Sequence, residues 1–361
     1  MTDQTFLGYL LSHGTGTRVD ISKVTGISKP TISDSAIRLQ SAGLIIEAGE
    51  TTPRGRGRRA TIYQVNPNYG HVSAVVLERR HHVVRALDFC GELKWEQRSE
   101  EDMTFEEGIA WAKENLARGT ADLATPCQAA TISVAAPVNP ESGVVQPLDG
   151  APLGGVVPDI TAALGLTDVP RVRVDNDVNW AARAETTDPA KDPKRSFLYV
   201  YLGAGVGGSL VAGGNVIQGA NGTAGEIGFL RTPKGTTLLA ELSSLSFGSP
   251  DYLSINIDLA LAAFQDPDSD EAGYATDLLA KAILDATIIF DPGTVVLGGP
   301  LSAADLLVDG LRAKIESGRI APVELVRGSA DDEILVAGVS HHAVHDAWEA
   351  AMESVLTATE D

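Results

Sequence analysis

In this chain of 361 residues the pair best placed to do chemistry is Asn176-Asp177. Arg171 to Asp175 reads as a strand and about Asp177 to Glu185 as a helix, so a carboxylate stands where a strand ends and a helix opens. In open α/β folds that junction faces the ligand crevice, and a carboxylate there accepts hydroxyl hydrogen bonds or takes a proton. The competing reading is that Asp177 caps its own helix. Gly203-Ala204-Gly205-Val206-Gly207-Gly208 joins two strands and could cradle phosphate with backbone N–H groups. A tight hairpin, however, needs glycine for backbone reasons alone. Arg54, Arg56, Arg58 and Arg59 surround Gly55 and Gly57. Guanidinium groups on a backbone free to approach closely suit the narrow, negative minor groove of DNA. His341, His342 and His345 include an i, i+4 pair that could hold a metal, but without a carboxylate motif they read as a solvated helix face. Cys90 and Cys127 form no Cys-x-x-Cys pair, so neither a thiolate zinc cluster nor a disulfide framework is expected.

The arginine run needs a scaffold, and the preceding residues supply one. Phe6, Leu7, Leu10 and Leu11 share a helical face. A short helix fits Val19 to Thr25, with Ile21 and Val24 inward. Gly26 makes a tight turn, Ser28 is an N-cap, and Pro30 falls in the first turn of a helix from about Lys29 to Ser41. Ile32, Ala36 and Leu39 lie on its inner face; Thr31, Asp34 and Arg38 lie opposite. Two short helices about a glycine turn are a helix-turn-helix. Its second helix offers Ser28, Lys29, Pro30, Thr31, Ser33, Asp34 and Arg38 to DNA bases and phosphates. Leu44-Ile45-Ile46 and Thr61 to Val65 read as strands flanking the arginines, which makes Arg54, Arg56, Arg58 and Arg59 a β-wing.

Downstream, Val72–Leu77, Val83–Asp88 and Glu92–Trp95 read as a meander. Phe105–Arg118 reads as a helix ended by Gly119, and Ala129–Val138 as a buried strand. Phe197–Leu202 and Gly208–Val211 form a hairpin. Leu253–Phe264 and Glu271–Phe290 are long helices, Val295–Leu297 a strand, and about His341–Leu356 a last helix. Alternating strands and helices predict α/β domains.

The net charge of −20 at first opposes nucleic-acid binding. Residues 1–65 hold eight Lys/Arg against five Asp/Glu, a balance of +3, and the rest hold 20 against 43, a balance of −23. A mildly basic head on an acidic body is compatible with DNA contact through the head alone. Met1 to Leu11 carries no positive stretch leading into a long apolar run, and no run of about 18 apolar residues occurs. A soluble, cytoplasmic protein with no membrane partner is the expectation.

From Val19 to Pro67 the chain resembles the winged-helix head of ROK proteins, a family of repressors and sugar kinases. The resemblance rests on Thr25-Gly26-Ile27-Ser28-Lys29-Pro30-Thr31-Ile32-Ser33, Ala42-Gly43-Leu44-Ile45, Gly55-Arg56-Gly57-Arg58 and Val65-Asn66-Pro67. Residues 72–361 resemble the family's two-lobed, actin-like fold. Here the matches are Val134 to Val144, Asn176-Asp177-Val178-Asn179, Gly203 to Gly208, Gly225-Glu226-Ile227-Gly228, and Asp291-Pro292-Gly293 with Val295 to Gly299. The implied architecture is α/β: a winged helix-turn-helix over 1–68, then a sugar-kinase-like effector and dimerisation domain over 69–361. Its lobes would be about 69–175 plus 341–357, and 176–340.

The resemblance implies sugar ligands at Asn176, Asp177, Glu226 and Glu241, with Asp149 a substitute for an asparagine where this chain has Leu148. It also locates departures. Val76 stands where a kinase's first phosphate turn has its aspartate, the glycines of that turn are gone, and Glu78 would repel phosphate. Phe229 stands where a zinc-binding histidine is usual, and the cysteines that complete the zinc site are absent. No ATP site, zinc or other cofactor is therefore expected. The implied function is a non-enzymatic regulator, by expectation a repressor of carbohydrate genes, which binds double-stranded operator DNA, senses a sugar or sugar derivative, and forms a homodimer or higher even oligomer. The alternatives are a dimerisation scaffold without a small ligand, and an ATP-dependent hexose kinase.

Overall fold

The computed structural model describes residues 2–51, 59–78, 80–146, 159–186, 195–249 and 253–357. The head comprises α1 (Thr2–His13), β1 (Thr15–Thr17), α2 (Arg18–Thr25), α3 (Lys29–Ser41), β2 (Ile45–Glu50) and β3 (Thr61–Val65). Its helices start where side chains satisfy free backbone N–H groups. Thr17 and Asp20 form a reciprocal capping box on α2, and Ser28 accepts from Thr31 N at the start of α3. Gly26, at φ 73°, ends α2 in a left-handed conformation that glycine adopts without steric cost. Phe6, Leu10, Ile21, Ile32, Leu39, Leu44 and Ile45 form the head's apolar centre. β1 pairs with β3, giving the sheet order β1-β3-β2. This third strand is too short for its periodicity to register in the sequence. Val24, expected inward, is 64% exposed because only Ile21 of α2 reaches the core.

The first body sheet has the order β6-β5-β4-β7-β8, from β4 (His71–Leu77), β5 (His82–Asp88), β6 (Leu93–Ser99), β7 (Cys127–Val134) and β8 (Arg171–Asn176). One face carries α4 (Phe105–Thr120) and α5 (Ile160–Leu164). α4 runs through Gly119 rather than stopping there, because that glycine lets the helix lie against the Trp95 ring. The other face carries α6 (Asp177–Thr186) and α11 (Glu333–Thr357). α11 starts eight residues before the expected His341, and Leu335, Val336 and Val339 are buried against the sheet.

The second sheet has the order β11-β10-β9-β14-β15, from β9 (Phe197–Leu202), β10 (Val206–Ala212), β11 (Asn215–Ile217), β14 (Thr294–Gly298) and β15 (Glu324–Arg327). β9 is apolar almost throughout because both its faces are covered. One face is packed by α7 (Leu238–Ser243), α8 (Ile257–Gln265), α9 (Asp270–Phe290) and α10 (Asp305–Gly318). A small ribbon of β12 (Gly248–Ser249) and β13 (Ser254–Ile255) precedes α8. The opposite face receives Val178, Ala181 and Ala182 of α6, while Trp180 of the same helix packs with α11 on the first sheet. α6 is thus a shared wall between the two lobes, and its N-terminus opens where they meet. No described helix is long and apolar enough to cross a membrane.

Candidate functional site

The turn from β8 into α6 is held by Asp175, which is 1% exposed. Its Oδ1 accepts from Asn176 N at 2.8 Å and Asn179 Nδ2 at 2.9 Å, and its Oδ2 accepts from Gln218 Nε2 at 2.9 Å. Arg183 forms an ion pair with it at 2.5 Å. Ser209 Oγ on β10 donates to Asn179 Oδ1 at 2.7 Å, so both lobes grip the start of α6. Asn176 Oδ1 accepts from Val178 N at 2.9 Å and Asp177 Oδ1 accepts from the same N–H at 2.9 Å. The side chain that caps α6 is therefore Asn176, whose Oδ1 also accepts from Asn179 N at 3.4 Å, whereas Asp177 is the first helical residue and bonds the adjacent N–H. Asn176 Nδ2 donates to no partner among the described residues.

Asp177 sits in an acidic crevice. Burial, and then the charges of Glu78 and Glu226, push its pKa well above the usual range. Glu226, in the loop before a single 3-10 turn (Ile227–Phe229), is pushed by burial up to about 7. Glu78, just past β4, is also raised by burial; His81 offsets part of this and Asp332 adds to it. His81 Nδ1 lies 3.7 Å from Glu78 Oε2, and that partner raises its pKa against burial. Tyr201 on β9 donates its hydroxyl hydrogen to Asp332 Oδ1 at 3.3 Å. The structure thus brings Asn176, Asp177 and Glu226 to one crevice and adds Glu78, His81, Tyr201 and Asp332. Glu78 was read only as a phosphate repellent. Tyr201 was not singled out, although its place two residues before the glycine loop is a signal that could have found it, whereas Asp332 lay outside the last helix as read from sequence.

The glycines of the second loop have packing partners of their own. A Cβ on Gly203 would meet the Tyr201 hydroxyl at 2.6 Å, one on Gly207 would meet Val178 at 2.8 Å, and one on Gly208 would meet Gly225 O at 2.8 Å. Gly299 is closed to a side chain by the Tyr201 ring at 2.9 Å, and Gly298 by the Tyr199 hydroxyl. Tyr201 therefore lies between the glycine loop and the Gly298-Gly299 turn. At the first turn, Val76 is buried within β4 and paired with Val83, and no glycine follows it.

Glu241 is held differently. It is buried on α7, forms an ion pair with Lys234 at 2.9 Å, and accepts from the Tyr274 hydroxyl. Lys234 also lies 4.6 Å over the Tyr274 ring. Burial raises the Glu241 pKa, but Tyr274 and Lys234 at its carboxylate, with Thr232 nearby, outweigh it and the net shift is downward. Among the described residues no hydrogen bond or ion pair joins Glu241 to Asp177 or Glu226. Its Oε1 is committed within the second lobe to Lys234 and Tyr274. Asp149 lies outside the described residues. Phe229 is half-buried.

On the head, Ser28, Lys29, Pro30, Thr31 and Asp34 are exposed together at the start of α3. Ser33 is half-buried and its hydroxyl donates to Lys29 O at 2.9 Å. Arg38 departs from the expectation. Its Nε and Nη2 donate to Asp3 at 3.0 and 2.6 Å, because the buried Asp3 needs a counter-ion, so Arg38 ties α3 to α1. Arg59 is exposed and pairs with Glu50 at 3.3 Å. Arg54, Arg56 and Arg58 lie outside the described residues.

Residues 86–238 match the model of the ROK family. An N-acetyl-D-glucosamine kinase of Erwinia tasmaniensis is 30% identical over 185 residues, 44% of this chain and 60% of the relative. A xylose repressor of Caldicellulosiruptor bescii is 27% identical over 227 residues, 58% of this chain and 53% of the relative. The chain thus spans little more than half the length of these relatives. Among solved structures, a ROK family transcriptional regulator homologous to the E. coli MLC protein matches 95% of both chains, with a TM-score of 0.67 and 21% identity. The ROK hexokinase from Thermus thermophilus matches 76% of this chain and 98% of its own, with a TM-score of 0.57 and 22% identity. The hexokinase fold leaves about a quarter of this chain without a counterpart.

Proposed function

From the ROK family domain that this chain carries, we infer that the protein is a transcriptional repressor whose sugar-kinase-like body has become a sugar sensor without phosphoryl-transfer activity. The observation that carries this reading is the turn after β4, where Glu78 stands with His81 3.7 Å away in place of a phosphate cradle, together with Tyr201 packed against both glycine turns. A kinase must hold nucleotide phosphates at the turn after β4, using backbone N–H groups and cations. Here that turn presents a carboxylate close enough to raise the pKa of Asp177. Tyr201 fills the space between the two remaining glycine turns. What is left suits a neutral polyhydroxyl ligand: Asn176 Nδ2 as donor, with Asp177 and Glu226 as acceptors or, while protonated, as donors.

The head supports the DNA half. α2, the Gly26 turn and α3 follow one another as in a helix-turn-helix, and α3 presents a polar first turn that would suit a major groove. Arg54, Arg56, Arg58 and Arg59 lie in sequence between β2 and β3 and are the proposed wing contacts. Sugar in the crevice would bias lobe closure, change the spacing of two heads in a homodimer, and so lower operator affinity through differential affinity for the two states. A two-headed dimer implies a palindromic operator with half-sites about one helical turn, or a multiple of it, apart. The proposed compartment is the cytoplasm.

A second reading, a dimerisation scaffold without a ligand, is favoured by the commitment of Glu241 to Lys234 and Tyr274. Calorimetric titration separates the readings. The sensor binds one of D-xylose, D-glucose or N-acetyl-D-glucosamine and does not bind a non-hydrolysable ATP analogue. The scaffold binds none of these, and a kinase binds both sugar and nucleotide.

A further inference from the structure

Helix α11 reaches from the crevice to the head, and each end is fixed by side chains that belong to a different part of the molecule. Just before its first turn, Asp332 takes the Tyr201 hydroxyl from the second lobe at 3.3 Å. The next residue, Glu333, accepts from Arg98 at 3.0 Å and Arg85 at 3.5 Å, both from the first lobe. Those arginines are themselves fixed by Glu96, at 2.6 Å from Arg85 and 2.8 Å from Arg98. Two adjacent residues therefore bind different lobes.

The middle of α11 is buried on the first sheet through Val336, Val339 and Ala343, and the His342 ring lies 5.4 Å from that of Trp180. Further along, Trp348 Nε1 donates to Phe89 O at 2.7 Å. Phe89 N donates to Pro67 O at 3.3 Å, and the Phe89 ring lies 4.8 Å from that of Tyr69. Asn66, one residue before Pro67, donates from Nδ2 to Gly43 O at 2.8 Å and from its backbone N to Leu44 O at 2.9 Å. Gly43 closes α3, its N–H donating to Gln40 O at 3.0 Å. An unbroken series of contacts thus leads from the crevice along α11 to the end of the helix proposed to read DNA.

We propose that α11 is the transmission element of this protein, with Asp332 and Glu333 as a latch between the lobes and Trp348-Phe89 as the joint that passes its displacement to the head. A helix is stiff along its length, and Asp332 and Trp348 stand about 24 Å apart along the axis. A change in lobe angle cannot keep both latch contacts unstrained, so the first turn must follow one lobe. Where it follows the second lobe, the helix shifts on the first sheet and its far end moves against Phe89, which directly follows β5. The use of this coupling in gene control rests on the repressor reading, but the coupling itself does not.

The test is hydrogen exchange, read by mass spectrometry on the full chain without sugar or DNA. Tyr201→Phe removes the second-lobe contact and Glu333→Gln weakens the first-lobe one. In either variant, amides at 43–45 and 66–69 should exchange about threefold to tenfold faster than in wild type, with β9 unchanged. In a Trp348→Phe background the same latch substitution should add nothing at those amides. The proposal is overturned if latch variants alter exchange only in the first turn of α11, or if the junction responds equally with Trp348 replaced. Each variant's melting transition is the folding control, and two independent latch variants keep the test decisive if one fails to fold. Loss of DNA binding in wild type would count against the repressor reading alone.

Discussion

Asp177 and Glu226 share one crevice, and among the described residues neither has a lysine or arginine partner. Burial leads the upward shift of both, and Glu226 stands at about 7. For a carboxyl whose folded pKa exceeds its unfolded value, the protonated form is favoured by folding. The stability it contributes is complete below the unfolded pKa and is lost as pH rises through the folded one. Melting temperature should therefore fall between about pH 4.5 and pH 7 as Glu226 ionises. Glu226→Gln should flatten that slope and stabilise the protein at pH 8 by about 1–3 kcal/mol, after allowing for partial solvent access. Thermal melts across pH check this; an unchanged slope would mean that Glu226 is ionised at no cost.

The pair formed by Asp3 and Arg38 predicts a stability effect in the head. Among the described residues, Arg38→Ala would leave the buried Asp3 carboxylate with Ser35 as its remaining side-chain donor, at 2.6 Å. The expected loss is about 2–4 kcal/mol, measured by denaturant melts of the full chain with a head-specific probe. Under conditions where the head remains folded, operator affinity should change little. A large fall in affinity without loss of stability would return Arg38 to the DNA surface.

Gly225 has φ 94°, and a Cβ at this position would clash with Gly208 O. Gly225→Ala should cost about 1–3 kcal/mol and displace the adjacent Glu226. Sugar affinity measured by calorimetry should fall with it, while DNA affinity of the unliganded protein should not. Retained sugar affinity would place Glu226 outside the binding site.

Arg56→Ala and Arg58→Ala should each weaken DNA binding across sequences and make its salt dependence shallower, by about one phosphate contact per arginine. Fluorescence anisotropy at several salt concentrations reads both quantities. Unchanged affinity in both variants would exclude the wing as a DNA contact.

Legibility from the sequence followed the length and periodicity of each element. α3, β3, β4, β5 and β9 were readable because their apolar spacing runs over several residues and their ends carry caps or glycines. β1, with three residues, has no pattern to read. Asn176, Asp177 and Glu226 stood out through motif context. Tyr201 and Asp332 did not, because they are 131 residues apart in sequence and meet only through the packing of α11 over both lobes. Glu241 matched a motif in sequence, yet the nearby Lys234 and Tyr274 decide what its carboxylate does. Arg38 lay on the polar face of its helix as expected, but helical periodicity does not reveal that Asp3 is buried beneath it.

The central claim is that sugar in the crevice controls DNA binding by the head. Its most direct test is a mobility-shift titration of the protein against the DNA upstream of its own gene, with and without D-xylose, D-glucose and N-acetyl-D-glucosamine, for wild type and Asp177→Ala. The account predicts that wild type binds, that one sugar releases it, and that Asp177→Ala binds equally well but is not released. Binding by both proteins that no sugar alters would contradict the sensor, and no binding at moderate salt would contradict the repressor itself.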